Sequence, residues 1–298
     1  MEQTNSGDAN RITRAYFDSL LIEMRHIGAA VPDTKLTLYG ETFETPVMTA
    51  ALSHLDKCHP GGMAELARGA KAAGAVMWAG MGEDEELTRI TAAGAKTIKI
   101  IKPHADSAVI LRRIAHAEQC GCIAVGMDID HAFNGRGEQD IVLGLPMAGK
   151  TLDDIRRFVS ATKLPFIIKG VLSVRDALLC AQAGVKGIVV SHHHGILDYA
   201  APPLLMLPEI VRAAGGDMPV FLDCGAESGL DVFKALALGA TAVSVGRALM
   251  GPLSENGAEG AADAIRKMTA QLAGAMARTC SPGVAHIDGS VLRERRGW

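Results

Sequence analysis

The chain has no surplus of either charge: 30 Lys and Arg stand against 33 Asp and Glu, a net −3 over 298 residues. Without a strong basic excess there is no electrostatic footprint for nucleic acid, so the expected partner is a small molecule. No apolar run reaches the roughly 18 residues needed to span a bilayer. The opening MEQTNSGDANRITRAYFDSL is polar and lacks the charged and apolar regions of a secretory leader. These absences predict a cytoplasmic protein. The C-x-x-C spacing of redox and zinc motifs is also missing; Cys120 and Cys122 form C-x-C, and Cys58, Cys180, Cys224 and Cys280 are scattered. Free or buried thiols in a reducing compartment are expected, and no metal site is.

What is present is regular. Eight short apolar runs recur: PVMTA (46–50), AVMWAG (75–80), TIKIIK (97–102), IAVGMDID (123–130), PFIIKG (165–170), GIVVSH (187–192), PVFLDCG (219–225) and AVSVGR (242–247). They are too short for buried helices, and most are rich in Val and Ile, as strands covered on both faces are. Amphipathic segments such as DSAVILRRIAHAEQCG and SVRDALLCAQAG lie between them and end at Gly, a helix stop. Repeated β–α units imply a parallel sheet with right-handed crossovers. Eight of them predict an α/β fold, a single-domain (β/α)8 TIM barrel over residues 46–298, with a last helix near 256–278 and a polar tail. Residues 1–45 are expected to cover the bottom or side of the barrel.

In such a barrel the chemistry sits at the C-terminal ends of the strands, so polar residues at those ends are the candidates. Strand one leads to Ala50, Ala51, Leu52 and His54, strand three carries Lys99 and Lys102, and strand four ends in Asp128, Asp130 and His131. Lys169 closes strand five, Ser191 and His192, His193 and His194 follow strand six, Asp223 ends strand seven, and Gly246-Arg247 end strand eight. Lys102 is expected to snorkel to solvent. Lys169 and Asp128 sit among apolar neighbours, where a charge needs a partner. Alternate residues of extended chain face opposite ways, so the three histidines do not form one ligand set; a single proton-transferring imidazole with two bystanders fits better. The turns after strands seven and eight, with Gly225, Gly246 and Arg247, suit a phosphate held by backbone N–H groups and one Arg.

Beyond these residue-level readings, IKGVLSVRDALLCAQAGVKGIVVSHHHG, LDYAAPP, PVFLDCGAESGLDVFKALALGATAVSVGRAL and PVMTAALSHLDKCHPGG resemble the FMN-dependent α-hydroxy-acid oxidase and dehydrogenase family, which includes glycolate and lactate oxidases. The resemblance runs from about Arg14 to Trp298. It implies an FMN oxidoreductase in which His193 is the base, Asp128 pairs with it and stabilises its imidazolium, and Lys169 stabilises reduced flavin. It also implies cofactor contacts from Ala50, Ala51, Leu52, Ser191, Asp223, Gly225, Gly246 and Arg247, a substrate contact from Arg136, and a homo-oligomer, tetramer or octamer. Where the family has a Gln and a Tyr in strand three this chain has Lys99 and Ile101, and Lys99 is expected to approach the flavin; Gly80 takes a flavin-contacting position, and the extra His54 and His131 are expected on the substrate side. The family's substrate-carboxylate Arg, three positions after the base, has no counterpart; Ile196 or Leu197 occupies the region. Gly80 and Gly126 replace hydroxyl residues, and Glu227 stands where an Arg nears the phosphate. These departures leave two alternatives: a flavin-dependent isomerase of a phosphorylated substrate, and a non-catalytic barrel that has lost FMN.

Overall fold

The computed structural model describes residues 6–216 and 218–295; Trp298, the far end of the family resemblance, lies outside them. All eight expected strands form: β1 (Val47–Thr49), β2 (Met77–Ala79), β3 (Thr97–Ile101), β4 (Ala124–Asp128), β5 (Phe166–Val171), β6 (Gly187–Val190), β7 (Val220–Leu222) and β8 (Ala242–Val245). They pair in parallel, β2 through β8 in sequence and β8 with β1. The seam between β1 and β2 is closed by Thr49 N–H to Val76 O at 3.2 Å and Gly80 N–H to Leu52 O at 2.8 Å.

Side-chain parity divides the barrel into two cores. Met48, Val76, Trp78, Ile98, Ile100, Ala124, Ile167, Val189, Phe221 and Ala242 fill the interior, with Trp78 edge-on to Phe221 at 5.4 Å between ring centroids. The opposite parity (Met77, Ala79, Ile101, Val125, Met127, Ile168) packs against the surrounding helices. The antiparallel pair Leu36–Leu38 and Glu41–Phe43 plugs the N-terminal mouth, since Leu36, Leu38 and Phe43 belong to the interior cluster.

The helices start where side chains can satisfy their free N–H groups. Asp106 caps α3 (Ser107–Gln119), Thr151 and Asp154 form a capping box on α4 (Leu152–Ser160), Ser173 caps α5 (Val174–Gln182) and Ser228 caps α7 (Gly229–Ala237). α1 (Gly62–Ala72), α2 (Asp84–Ala92) and α6 (Pro203–Ala214) complete the ring with α8 (Arg247–Ala277), which is broken at Asn256 and Gly257. The break explains why the sequence pattern places the last helix from about 256. Leu20–Ile22 pairs with Leu292–Glu294, tying the tail back.

The N-terminal helix, Ala9–Ser19, departs from expectation. It lies at the C-terminal rim: Thr13 meets His192, Asn10 meets His194, and Arg14 donates to Gly225 O at 2.9 Å. Residues 1–45 therefore serve both ends of the barrel, and their helix borders the site.

Candidate active site

A cavity of about 300 Å³ opens at the C-terminal face, walled by Ala50–Leu52, Lys169, His193, the 223–227 turn and Gly246–Ala248. That volume lies at the low end of ligand pockets, roughly 300–1,000 Å³. Backbone strain concentrates around it: His193, His194 and Cys224 hold φ of 49°, 59° and 73°, a region that residues with a Cβ seldom occupy without a reason in the surroundings.

Parity carries Lys102, Asp128 and Lys169 inward at the top of β3, β4 and β5, on the same face as Ile100, Ala124 and Ile167. They form a buried ion cluster. Lys102 Nζ lies 2.9 Å from Asp128 Oδ2, Lys169 Nζ lies 3.0 Å from Asp128 Oδ1, and Lys169 Nζ lies 3.6 Å from Asp223 Oδ2. Burial by itself would raise the Asp128 carboxyl, but the ammonium groups of Lys169 and Lys102 outweigh it and hold that carboxyl well below the usual range. Burial by itself would lower Lys169, but Asp128 and Asp223 hold it above the ordinary lysine value. The cluster is thus fixed in its charged form. Lys102 does not snorkel, and its period-2 relation to Ile98 and Ile100 was the available signal.

The three histidines take three directions. His192 is buried; its Nδ1 accepts from Gly195 N–H at 3.0 Å, which leaves the proton on Nε2 facing Thr13 Oγ1 at 2.8 Å. Burial lowers its basicity. His194 meets Asn10 Oδ1 through Nδ1 at 2.8 Å and lines the cavity. His193 points to the β4 end, with Nδ1 at 2.8 Å from Asp130 Oδ1 and 3.7 Å from Asp128 Oδ1. Its hydrogen-bonded carboxylate is Asp130, which sequence reasoning missed; Asp128, the expected partner, stays within ion-pair distance while its two oxygens are also approached by the two lysines. His131 packs edge-on against His193, 4.9 Å between centroids, and its Nδ1 lies 2.8 Å from Asp140 Oδ2.

The remaining candidates divide. Ser191 Oγ donates to Asp223 Oδ2 at 3.2 Å and accepts from His193 N–H at 3.1 Å. Gly225, Gly246 and Arg247 stand together on the cavity wall with Ala50, Ala51 and Leu52. Lys99 does not reach it: its parity is opposite to Ile98 and Ile100, and its ammonium bonds Gly80 O in the layer beneath α2 and α3. Burial lowers Lys99 to about 8. Gly80 sits at the seam, where any Cβ would overlap Ala51 O, so it supplies no cavity side chain. His54 and Arg136 are exposed, His54 in the loop after β1 and Arg136 in the turn capped by Asn134. Neither is brought to the cavity wall, because each loop carries its side chain outward.

The residues present suit FMN. α8 starts after Gly246 without a side-chain cap. While Leu249 N–H turns back to Gly246 O, the N–H groups of Arg247 and Ala248 sit uncapped on the cavity wall beside the Arg247 guanidinium, a seat for a phosphate. Lys169, held as a cation, supplies positive charge at the cavity wall. Glu227 also lines that wall, its backbone N–H bonded to Asp231 Oδ2 at 3.1 Å.

Comparison with known proteins agrees. The FMN-dependent dehydrogenase family matches residues 2–152 and 147–294. Glycolate oxidase 3 of Arabidopsis thaliana is 32% identical, covering 80% of this chain and 74% of its own length. L-lactate oxidase of Roseobacter sp. (strain GAI101) is 29% identical, covering 87% and 79%. Among solved structures, mandelate oxidase with (S)-2-phenylpropionate superposes with a TM-score of 0.87 at 27% identity, over 97% of this chain and 90% of that one. A mandelate oxidase variant carrying a monooxide FMN adduct gives 0.87 at 28% identity, over 99% and 93%. The chain belongs to the FMN-dependent dehydrogenase family, and its barrel is that of an FMN-dependent oxidoreductase whose relatives oxidise 2-hydroxy acids.

Proposed function

We propose that the protein oxidises a 2-hydroxy acid or a closely related hydroxyl compound with His193 as the base. The observation that carries this reading is His193 itself: Nδ1 is bound to a carboxylate at 2.8 Å, which leaves Nε2 to take a proton, and the ring borders the cavity that also holds Lys169. An imidazole so oriented suits proton abstraction near neutrality. Asp128 is the fixed anion between Lys102 and Lys169, and Lys169 is the cation that favours a negatively charged ring system. Ser191, Asp223, Gly225 and Gly246 would line the cofactor, and Arg247 with the start of α8 would hold its phosphate. When bound, FMN supplies the acceptor for the two electrons leaving the substrate carbon. His131, in ring contact with His193, is proposed to shape the substrate side; His54 and Arg136 would join it only through loop movement.

The relatives are oxidases, and neither the isomerase nor the non-catalytic alternative has an observation of its own. We further propose, on composition and family resemblance, a cytoplasmic homo-oligomer of four or eight chains. Exposed Met24, Ile27 and Val31 give it apolar surface to bury, and light scattering would count the chains.

The test is the visible spectrum of the purified protein before and after anaerobic addition of a panel of 2-hydroxy compounds. Bleaching of the flavin bands is expected with at least one of them. His193→Ala should keep the flavin spectrum and lose about 100-fold or more of the bleaching rate; an unchanged rate removes the base assignment.

A further inference from the structure

The structure assigns the positioning of the base to Asp130, with Asp128 withdrawn from that task by Lys102. This rests on the reading of His193 as the base and concerns which carboxylate acts through it.

Asp128 and Asp130 sit at the end of β4, and both approach His193 Nδ1, but not equally. Asp130 Oδ1 is at 2.8 Å and forms the hydrogen bond; Asp128 Oδ1 is at 3.7 Å and does not. The difference has a cause on β3. Lys102 projects inward and takes Asp128 Oδ2 at 2.9 Å, while Lys169 takes Oδ1 at 3.0 Å. With one ammonium near each oxygen, much of the Asp128 potential is spent on the lysines, although at 3.7 Å it still favours charge on His193.

Asp130 differs in its ion pairs: each carboxylate has one buried oxygen without a hydrogen bond, but of the two only Asp128 has lysines within ion-pair distance among the described residues. The Asp130 side chain is 13% exposed, and its second oxygen, Oδ2, is buried with no hydrogen-bond partner. An ionised carboxylate with an unsatisfied buried oxygen is costly, so its bond to the imidazole N–H is the main stabilisation it has. That dependence runs both ways: charge forming on His193 as it accepts a proton is stabilised most by the carboxylate that bonds it directly and that has no lysine or arginine within ion-pair distance among the described residues. The backbone has been shaped to admit it. Gly170 holds φ +93°, and a Cβ there would lie 2.5 Å from Asp130 Oδ2. Only glycine leaves room for that carboxyl behind the imidazole.

Two measurements on the FMN-loaded protein decide the matter. In the wild type, the side-chain carboxyl ¹³C resonances of Asp130 and Asp128 would be followed by NMR together with those of the His193 ring across the pH range of the bleaching profile. Asp130 is expected to shift with the ring and Asp128 to stay nearly still; the reverse overturns the assignment. In variants, the pH profile of anaerobic flavin bleaching would be compared for Asp130→Asn, Asp130→Glu and Asp128→Asn. Asp130→Asn should lower the plateau rate about 100-fold and move the acid limb to lower pH, because an imidazolium without its carboxylate forms less readily. Asp130→Glu should restore part of the rate. Asp128→Asn, which also uncovers the ammonium groups of Lys102 and Lys169, should lower the rate but move the acid limb less than Asp130→Asn does. An acid limb displaced by Asp128→Asn and unmoved by Asp130→Asn refutes the inference. If Asp130→Asn does not fold, the wild-type resonances still decide. If no 2-hydroxy compound bleaches the flavin, the proposed function fails while the NMR comparison remains informative.

Discussion

At the scale of single residues, identical side chains acquire different chemistry from their partners. His192 is a buried neutral strut between Gly195 and Thr13, His193 pairs with Asp130, and His194 meets Asn10 at the rim. Lysines divide in the same way. Lys169 is buried among carboxylates and stays charged, whereas Lys99 is buried beside a carbonyl and lowered to about 8 by burial. Lys99 has a consequence for stability with a definite sign. Between pH 8 and 10.5 the unfolded chain holds its proton while the folded Lys99 has released it, so this residue makes stability rise with pH across that window. Below pH 8 its burial costs on the order of 3 kcal/mol, at about 1.4 kcal/mol per pH unit. Lys99→Met should therefore raise the melting temperature at pH 7, with the gain over wild type fading as pH rises from 8 to 10.5, and should leave the flavin spectrum unchanged. Weaker flavin retention in that variant would restore the sequence-based expectation that Lys99 touches the cofactor.

At the scale of elements, the N-terminal helix carries more than the sequence suggests. Arg14 donates to both oxygens of Asp231, at 2.8 and 3.0 Å, and to Gly225 O at 2.9 Å, and it also pairs with Asp18. One guanidinium thus joins this helix, the turn after β7 and the first turn of α7. Burial opposes ionisation of Asp231, but Arg14 and the bonds from Glu227 N–H and Ser228 hold its carboxyl below the usual range. Stability from that depressed carboxyl is present above the unfolded value of 3.8 and is lost as pH falls through the lower folded value. Arg14→Met leaves a buried carboxylate without its cation and should cost about 2 kcal/mol, less than a fully buried pair because Arg14 is partly in water. Urea denaturation at pH 7 would measure that loss. The flavin should also dissociate more readily on dialysis, since the Gly225 turn loses its anchor.

At the scale of the whole molecule, the barrel closes where its two edge strands meet. Gly80 donates to Leu52 O across the seam at 2.8 Å, and even a methyl group on Gly80 would run into Ala51 O, a backbone atom that cannot turn aside. Gly80→Ser should destabilise the fold by about 2 kcal/mol, within the range of overpacked sites, measured by thermal unfolding. It should not strengthen flavin binding, although relatives are expected to place a hydroxyl there. The seam also shows how far the sequence reaches. Eight short apolar runs, most of them rich in Val and Ile, with amphipathic segments between them determined the (β/α)8 barrel, because short segments covered on both faces admit few other arrangements. The ends of those strands determined a short list of site residues, with His193 and Lys169 on it. Strand parity along TIKIIK separates inward Lys102 from outward Lys99, a signal present in the sequence and local in origin. Other features were not local. The carboxylate that His193 takes depends on Lys102 reaching Asp128 from another strand, and on a glycine in β5 making room for Asp130. The position of the N-terminal helix depends on Thr13, Asn10 and Arg14 finding partners about 180 residues or more away in the chain. The sequence alone determined that Asp128, Lys169, His193 and Asp223 reach the mouth of the barrel, since they stand at or just after the strand ends. Only the tertiary structure decided that Lys102 joins them at Asp128, that Lys99, His54 and Arg136 stay away, and how the charges pair, since buried charges choose partners by distance in space.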